Sequence, residues 1–121
     1  RDLAENPGYT AVPGVLIYRF DAPLVFTNAD FFKDDLTERL RTADPPYEQV
    51  VLDFEAVYEI DTTGLDALLQ VQELLDDDSI RLDLARVKTG PRELLDRMEA
   101  TERLGPDHLH ATIHDAIAGR R

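Results

Sequence analysis

The sequence predicts an α/β fold, a single domain in which helices flank a mixed, mainly parallel β-sheet. The length of 121 residues suits one domain, spanning residues 1–121. Strand-like segments rich in β-branched and aromatic residues alternate with amphipathic, helix-like segments, which is the pattern of parallel α/β folds. One segment, Gln49 to Phe54, contains a continuous apolar run without polar alternation. Such runs are typical of strands covered on both faces, so we expect this segment to be the central, parallel strand.

The first predicted elements are two short strands. Val15 to Phe20 follows the turn pair Pro13-Gly14 and is rich in β-branched and aromatic residues, which predicts a strand. Asp21 to Pro23 is typical of a turn, and Leu24 to Phe26 is typical of a second short strand. We therefore expect the two strands to form a hairpin.

The first helix is predicted after Thr27-Asn28, whose side chains suit an N-cap. Phe32, Leu36 and Leu40 recur every four residues and form one apolar stripe. The segment Asp44-Pro45-Pro46 then ends the helix, because proline cannot donate a backbone hydrogen bond and restricts the residue before it.

A second helix is predicted from Asp61, its N-cap, to about Leu75. Its apolar residues cover much of its circumference, which indicates that it is heavily buried. The acidic run Asp76 to Asp78 comes at its C-terminal end, where the helix dipole disfavours negative charge. We expect this run to form a solvated turn.

The C-terminal half continues the alternation of strands and helices. Apolar residues at 80, 82 and 84 alternate with Arg81 and Asp83, which predicts a strand with one polar face. The later predicted elements are a helix from Pro91 to Glu99, a break at Gly105-Pro106, an extended piece from His108 to His110 and a helix from Thr112 to Gly119. One core is expected to join the sheet to the first two helices, and its predicted members are Phe26, Phe32, Leu36, Val51, Leu52, Leu68 and Leu69.

The charge balance excludes several classes of partner. Acidic residues outnumber basic ones by 25 to 13, and the formal net charge is −12 at pH 7. Nucleic-acid binding and charge-driven adhesion to an anionic membrane both need basic clusters, so neither is predicted. The absence of cysteine excludes disulfides and zinc–thiolate sites. No run approaches the ~18 apolar residues of a membrane span. Because the chain begins with Arg1, we expect it to be a piece of a longer protein.

The sequence offers no combination of residues that indicates catalysis. No nucleophile can be paired with a base, and neither a Gly-x-Gly-x-x-Gly motif nor a Walker loop occurs. His108, His110 and His114 are close in sequence, but their spacing matches no strong zinc pattern. We favour ordinary surface histidines over a metal site. No catalytic residue, metal or cofactor is therefore predicted.

The most unusual feature is the segment Asp61-Thr62-Thr63-Gly64, which opens the apolar second helix soon after the buried strand. Two interpretations are open. In the structural one, Asp61 caps the helix and Gly64 permits close packing. In the functional one, a helix N-terminus displays two hydroxyl groups near the end of a parallel strand, where α/β folds usually place ligand sites.

Two stretches of this sequence carry a resemblance to a known family. One comprises Val51-Leu52-Asp53-Phe54, Val57 and Ile60-Asp61-Thr62-Thr63-Gly64-Leu65; the other runs from Pro13 to Phe32. The first resembles the signature of STAS domains, which sulfate transporters share with anti-sigma factor antagonists. The second resembles the opening of the STAS domain at the cytoplasmic C-terminus of SulP anion transporters. Leu84 to Lys88 and Thr112 to Ile117 are also similar to that branch.

This resemblance implies a non-catalytic regulatory or protein-interaction domain on the cytoplasmic face of the inner membrane. The implied partner is the membrane domain of the same transporter chain, with a cytosolic regulatory protein or a nucleotide as further candidates. The alternatives are a free-standing anti-sigma factor antagonist switched by phosphorylation and a nucleotide-sensing STAS module. In the antagonist branch the second hydroxyl residue of the Asp-x-x-Gly loop is phosphorylated, and Thr63 stands there in place of the usual serine. The resemblance thus marks Asp61, Thr62, Thr63 and Gly64 as a phosphorylation and partner-docking loop.

Overall fold

A computed structural model of the chain describes residues 12–119, and these form a four-stranded sheet flanked by helices. The elements in chain order are β1 Val15–Arg19, α1 Ala29–Arg41, β2 Gln49–Asp53, α2 Thr62–Asp77, β3 Arg81–Ala85, α3 Thr89–Arg97, α4 Ala100–Leu104, a 3₁₀ turn Pro106–His108, β4 Leu109–His110 and α5 Ile113–Ala118. Their order confirms the α/β class predicted from the alternation of strands and helices.

The sheet is parallel throughout, in the order β1-β2-β3-β4. In one row across the sheet, Leu16 pairs with Val50 and Val50 pairs with Leu82. Every residue of β2 is buried, so the continuous apolar run did mark the central strand.

Apolar side chains lie on both faces of the sheet and form two clusters. The larger cluster joins alternate strand residues such as Leu52 to Phe32 and Leu36 of α1 and Leu68 of α2. On the opposite face, Val15, Ile17, Val51 and Ala85 pack with Ala116 of α5. Val51 therefore belongs to the other core, because successive strand residues point to opposite faces.

The predicted hairpin between Val15–Phe20 and Leu24–Phe26 is wrong. Leu24 instead makes an isolated parallel bridge to Ile60, which precedes α2. Leu24 is fully buried in this contact, whereas Phe26 is 72% exposed and lies outside the core. The segment passes beyond the end of β1 rather than turning back along it, and that path turns Phe26 towards solvent.

The predicted side-chain cap at Thr27-Asn28 is also wrong, although α1 does begin directly after Asn28. The Asn28 carboxamide turns back into the preceding loop. Its oxygen accepts a hydrogen bond from the Val25 amide at 3.0 Å, and its nitrogen donates to the Pro23 carbonyl at 2.8 Å. Asn28 thereby stabilises the loop that carries Leu24, as asparagine commonly does in turns.

Two further predictions need correction, and the structure adds a detail to a third. Asp76 and Asp77 are exposed but belong to α2, which continues through Asp77. The predicted polar face of β3 is present, and Asp83 on it is fully buried beside α5 while Arg81 is partly exposed. Leu69 is only partly buried.

The third helix is shifted from its predicted span of residues 91–99. It runs from Thr89 to Arg97, and the separate helix α4 follows because Glu99 has a left-handed φ of +61°. Across the described residues 12–119, no helix is both long and apolar enough to cross a membrane.

Candidate functional site

The candidate loop lies at the carboxyl end of the sheet, where β1, β2 and β3 end in register at Arg19, Asp53 and Ala85. The isolated bridge between Leu24 and Ile60 joins the two segments that lead into α1 and α2. Ligand and partner sites of open α/β sheets usually occur beyond the carboxyl ends of the strands. The predicted segment 61–64 is therefore placed where such a site is expected.

Asp61 is the N-cap of α2, as predicted, and both of its carboxylate oxygens are used. One accepts a hydrogen bond from the Gly64 amide at 2.7 Å, and the other accepts one from the Phe26 amide at 2.9 Å. The first bond satisfies an amide that the helix leaves free, and the second ties the 24–28 loop to the helix. Asp61 thus joins two separate segments of the loop surface.

Gly64 lies against the backbone of the same loop. A β-carbon built on Gly64 would lie 2.0 Å from the carbonyl oxygen of Leu24 and 2.7 Å from its carbonyl carbon. No real side chain tolerates such a distance, so the close approach predicted for this glycine is confirmed. The structural and the functional interpretation of the segment are therefore compatible. Asp61 and Gly64 fix the backbone at the base of the loop, and the side chains of Thr62 and Thr63 take no part in these contacts.

Thr62 and Thr63 are exposed in the first turn of α2. Within residues 12–119 neither hydroxyl has a hydrogen-bond partner. The N-terminus of a helix carries about half a positive charge, which favours an anion at these hydroxyls. Glu59 and Asp66 are exposed close by in sequence. The arrangement presents accessible hydroxyls that a partner or a modifying enzyme can reach.

Two exposed aromatic side chains adjoin the loop and were not singled out from the sequence as site residues. Phe26 is 72% exposed and its amide is held by Asp61, while Tyr58 is 68% exposed two residues before Ile60. Large exposed aromatic side chains beside polar groups are typical of protein–protein contact surfaces. The sequence contained a weak signal for Tyr58 alone, because it precedes the acidic Glu59 in a loop between β2 and α2.

An ion-pair network around the buried Asp53 also occupies this end of the sheet. Asp53, fully buried, accepts two hydrogen bonds from Arg86, at 3.2 and 2.9 Å, and Arg19 lies 3.5 Å away. Glu55 lies 3.2 Å from each arginine. The hydrogen bond to Asp53 raises the pKa of Arg86, and the attraction of Asp53 and Glu55 adds to the effect. Charged residues at successive strand ends could have indicated this network, which holds the three strand ends together.

Two of the histidines approach the same carboxylate, because His108 Nδ1 lies 3.4 Å and His110 Nε2 2.8 Å from Asp83 Oδ1. His108 Nδ1 also lies 2.7 Å from the Leu82 carbonyl oxygen and therefore donates to it. His110 is mostly buried, so the surface assignment is wrong for it, whereas His114 is exposed. The described part of the chain contains no group of three or more His, Cys, Asp or Glu residues that could hold a metal.

Comparison with known proteins agrees with the resemblance found in the sequence. The model of the STAS domain family matches residues 6–116. A probable sulfate transporter of Mycobacterium tuberculosis is 35% identical over 120 residues, which cover 99% of this chain and 21% of the transporter. The chain therefore spans about a fifth of the length of the curated relatives that it matches.

Solved structures show the same fold. A sulfate transporter family protein from Wolinella succinogenes is 27% identical with a TM-score of 0.81, and the match covers 98% of this chain and 93% of that one. A putative anti-sigma factor antagonist from Thermotoga maritima matches with a TM-score of 0.79 at 20% identity, covering 93% of both chains. The latter likeness concerns the fold alone.

Proposed function

The chain belongs to the STAS domain family, and from that premise we propose that it is the regulatory, protein-interaction domain of a SulP-type anion transporter. In this proposal the domain performs no catalysis and lies on the cytoplasmic face of the inner membrane. The transporter's membrane domain is in the same polypeptide and carries the anion site. The family match and the similarity to sulfate transporters support the proposal.

We assign the docking surface to the loop Ile60–Gly64, which we call the docking loop. The observation that supports this assignment is the contrast between the fixed base of the docking loop and the exposed residues of the same loop. Asp61 and Gly64 are held by backbone contacts, whereas Thr62 and Thr63 are exposed beside exposed aromatic side chains. A rigid, exposed surface with both polar and aromatic groups can bind a partner without losing much conformational freedom.

Thr63 is the most sensitive position of the docking loop in this proposal. A phosphate on its hydroxyl would add about −1.5 to −2 charges. The amides at the start of α2 can accommodate that charge, so the fold is expected to persist. A partner that fits the unmodified, already acidic surface near Glu59 and Asp66 would be repelled. Phosphorylation would therefore act on binding and leave stability nearly unchanged.

The test is anion uptake by the reconstituted full-length protein. Thr63→Glu should reduce uptake about tenfold, equivalent to about 1.4 kcal/mol of lost coupling, while the melting temperature changes by less than about 4 °C. Thr63→Ala should remain near wild type. Thr42→Glu is the matched control, because it adds the same charge at an exposed threonine beyond the end of α1.

Two results would count against the proposal. If folded Thr63→Glu protein transports like wild type, the docking loop has no regulatory role and the helix-cap interpretation is sufficient. If the full-length reading frame contains no membrane-spanning segments, the free-standing antagonist is favoured instead.

A further inference from the structure

A groove runs between α1 and α2, and its floor becomes apolar towards the C-terminal ends of both helices. At one end, Lys33 Nζ of α1 donates to the Gln70 side-chain oxygen of α2 at 2.9 Å. Two adjoining cavities, of about 420 and 530 Å³, share Thr37 and Leu74 as lining residues. We call this feature the α1–α2 groove.

The floor of the α1–α2 groove contains apolar side chains that the core does not fully cover. Leu74 is 47% exposed, although it belongs to a helix whose other leucines are more deeply buried. Leu40, Tyr47 and Ile80 line the same cavity and are only partly buried. A single exposed leucine is ordinary, but several apolar residues lining one concave surface indicate a binding groove.

The rim of the groove carries uncompensated negative charge. Asp34, Asp77 and Asp78 are exposed, and none of them forms an ion pair with a residue in the range 12–119. The last turn of α2 contains no basic residue, so its carboxylates face the negative end of the helix dipole. Cations from outside the described residues would relieve this repulsion.

The two cations that line the groove do not cancel this charge. Lys33 keeps its charge, because its partner Gln70 is neutral, and Arg41 is paired with Glu38. Against these two cations the lining still has four carboxylates, those of Asp34, Glu73, Asp77 and Asp78. The rim therefore presents negative charge to a ligand, in keeping with the net charge of −12 for the whole chain.

We propose that the α1–α2 groove binds an amphipathic helix rich in Lys and Arg, supplied by a cytoplasmic segment of the membrane part of the same transporter. This inference rests on the proposed function. An amphipathic helix places its apolar face in such a groove, here over Leu74, and its polar face at the rim. Cytoplasmic segments of membrane proteins carry an excess of Lys and Arg, which complements the acidic rim.

The groove and the docking loop can be occupied at the same time. The docking loop is at the N-terminal end of α2, and Asp77 and Asp78 are at its other end. At ~1.5 Å per residue, Gln70 at the near end of the groove lies about 9 Å along α2 from Gly64, and Asp77 at the far end lies about 20 Å from it. One surface can therefore attach the domain while the other remains available for regulation.

The experiment is site-specific photo-cross-linking in the full-length protein in membrane vesicles. Leu74→p-benzoylphenylalanine places the probe in the groove, and Met98→p-benzoylphenylalanine is the control, because Met98 is similarly exposed, at 49% against 47%, outside the groove. Mass spectrometry should identify a Lys/Arg-rich segment of the transporter's membrane part joined to position 74 and not to position 98. Cross-links to residues 1–11, to a second STAS domain, to another protein or to nothing would overturn the proposal.

A charge variant tests the rim independently. Asp77→Asn combined with Asp78→Asn should lower the cross-linking yield at position 74 about fivefold, because exposed ion pairs are individually weak but act together here. Removing these charges should not destabilise the fold, because negative charge at a helix C-terminus is unfavourable. Glu102→Gln combined with Asp107→Asn is the matched control, since both acids are exposed outside the groove. Equal losses in the two double variants would mean that only overall charge matters and would overturn the groove assignment.

The failure of this inference can be told apart from the failure of the proposed function. A transporter that responds to Thr63→Glu but gives no specific cross-link at position 74 would overturn the α1–α2 groove alone. A reading frame without membrane-spanning segments would overturn the proposed function, and the groove proposal with it.

Discussion

Replacing Gly64 by alanine tests the contact that fixes the base of the docking loop. The new β-carbon would lie 2.0 Å from the Leu24 carbonyl oxygen, about 1.5 Å inside the roughly 3.5 Å that non-bonded heavy atoms prefer. Leu24 cannot move away freely, because its amide donates to the Glu59 carbonyl at 2.9 Å and its side chain is fully buried. Relief of the clash must therefore displace either this loop or the start of α2.

The expected cost follows from two opposing contributions. Overpacking costs about 1–3 kcal/mol, and the upper value applies here because the obstacle is backbone rather than a flexible side chain. Alanine is favoured over glycine within a helix by about 1 kcal/mol, which offsets part of this cost. We expect Gly64→Ala to lower the free energy of unfolding by about 2 kcal/mol, and Gly64→Val to lower it further.

Urea denaturation followed by circular dichroism measures this change. With an m-value of about 2 kcal/mol per molar urea, the midpoint should fall by about 1 M. Gly90→Ala is a close control, because Gly90 also lies in a first helical turn but its β-carbon would meet only the Tyr58 carbonyl oxygen at 3.6 Å. That variant should be unchanged or more stable by up to about 1 kcal/mol. An unchanged or higher midpoint for Gly64→Ala would refute the close approach.

Three further predictions concern the core, the exposed aromatic surface and the buried charge. Leu52→Ala and Leu68→Ala should each lower the free energy of unfolding by about 2–5 kcal/mol in urea, because both side chains are fully buried. Phe26→Ala should change it by less than about 0.5 kcal/mol, because that side chain is 72% exposed. Burial acts to raise the pKa of Asp83, but hydrogen bonds from Arg81, Gln49 and His110 outweigh it and lower the pKa. The ionised Asp83 carboxylate therefore stabilises the fold fully at a pH above its unfolded-state pKa of about 3.9. This stabilisation is lost as the pH falls through the lower pKa of the folded state. The difference in stability between wild type and Asp83→Asn should therefore shrink as the pH falls through these two pKa values.

The parts of the fold that follow local rules could be predicted from the sequence. The cap formed by Asp61 and the apolar run of β2 each depend on residue types within a few positions. The presence of a glycine in the first turn of α2 predicted a close approach, although its contact partner, Leu24, is distant in the sequence. The candidate loop was found for the same reason, because a cap and a glycine at the start of an apolar helix are visible in the sequence. Whether Thr63 regulates a partner is a property of the whole protein and stays a prediction.

Two of the departures from prediction share one physical cause, which is that the partner of a segment lies far away in the sequence. The residues from 24 to 26 have the composition of a strand, but their partner is Ile60 rather than β1. The alternation in β3 indicates a polar face, yet Asp83 on that face is covered by α5 and bonded to His110. Short-range patterns show which side chains are apolar or polar, and only tertiary packing decides what covers them.

The helix α2 connects the two surfaces assigned to this domain, and the Gly64 contact positions that helix. The docking loop forms the start of α2, while Leu74, Asp77 and Asp78 near its other end line the α1–α2 groove. A helix behaves as a nearly rigid rod over such a length, so a displacement of its N-terminal end against Leu24 moves both surfaces together. Substitutions at the exposed threonines or at Leu74 change one surface and leave the position of the helix intact. A clash at residue 64 should therefore impair both regulation and attachment, whereas each exposed-residue variant impairs only one of them.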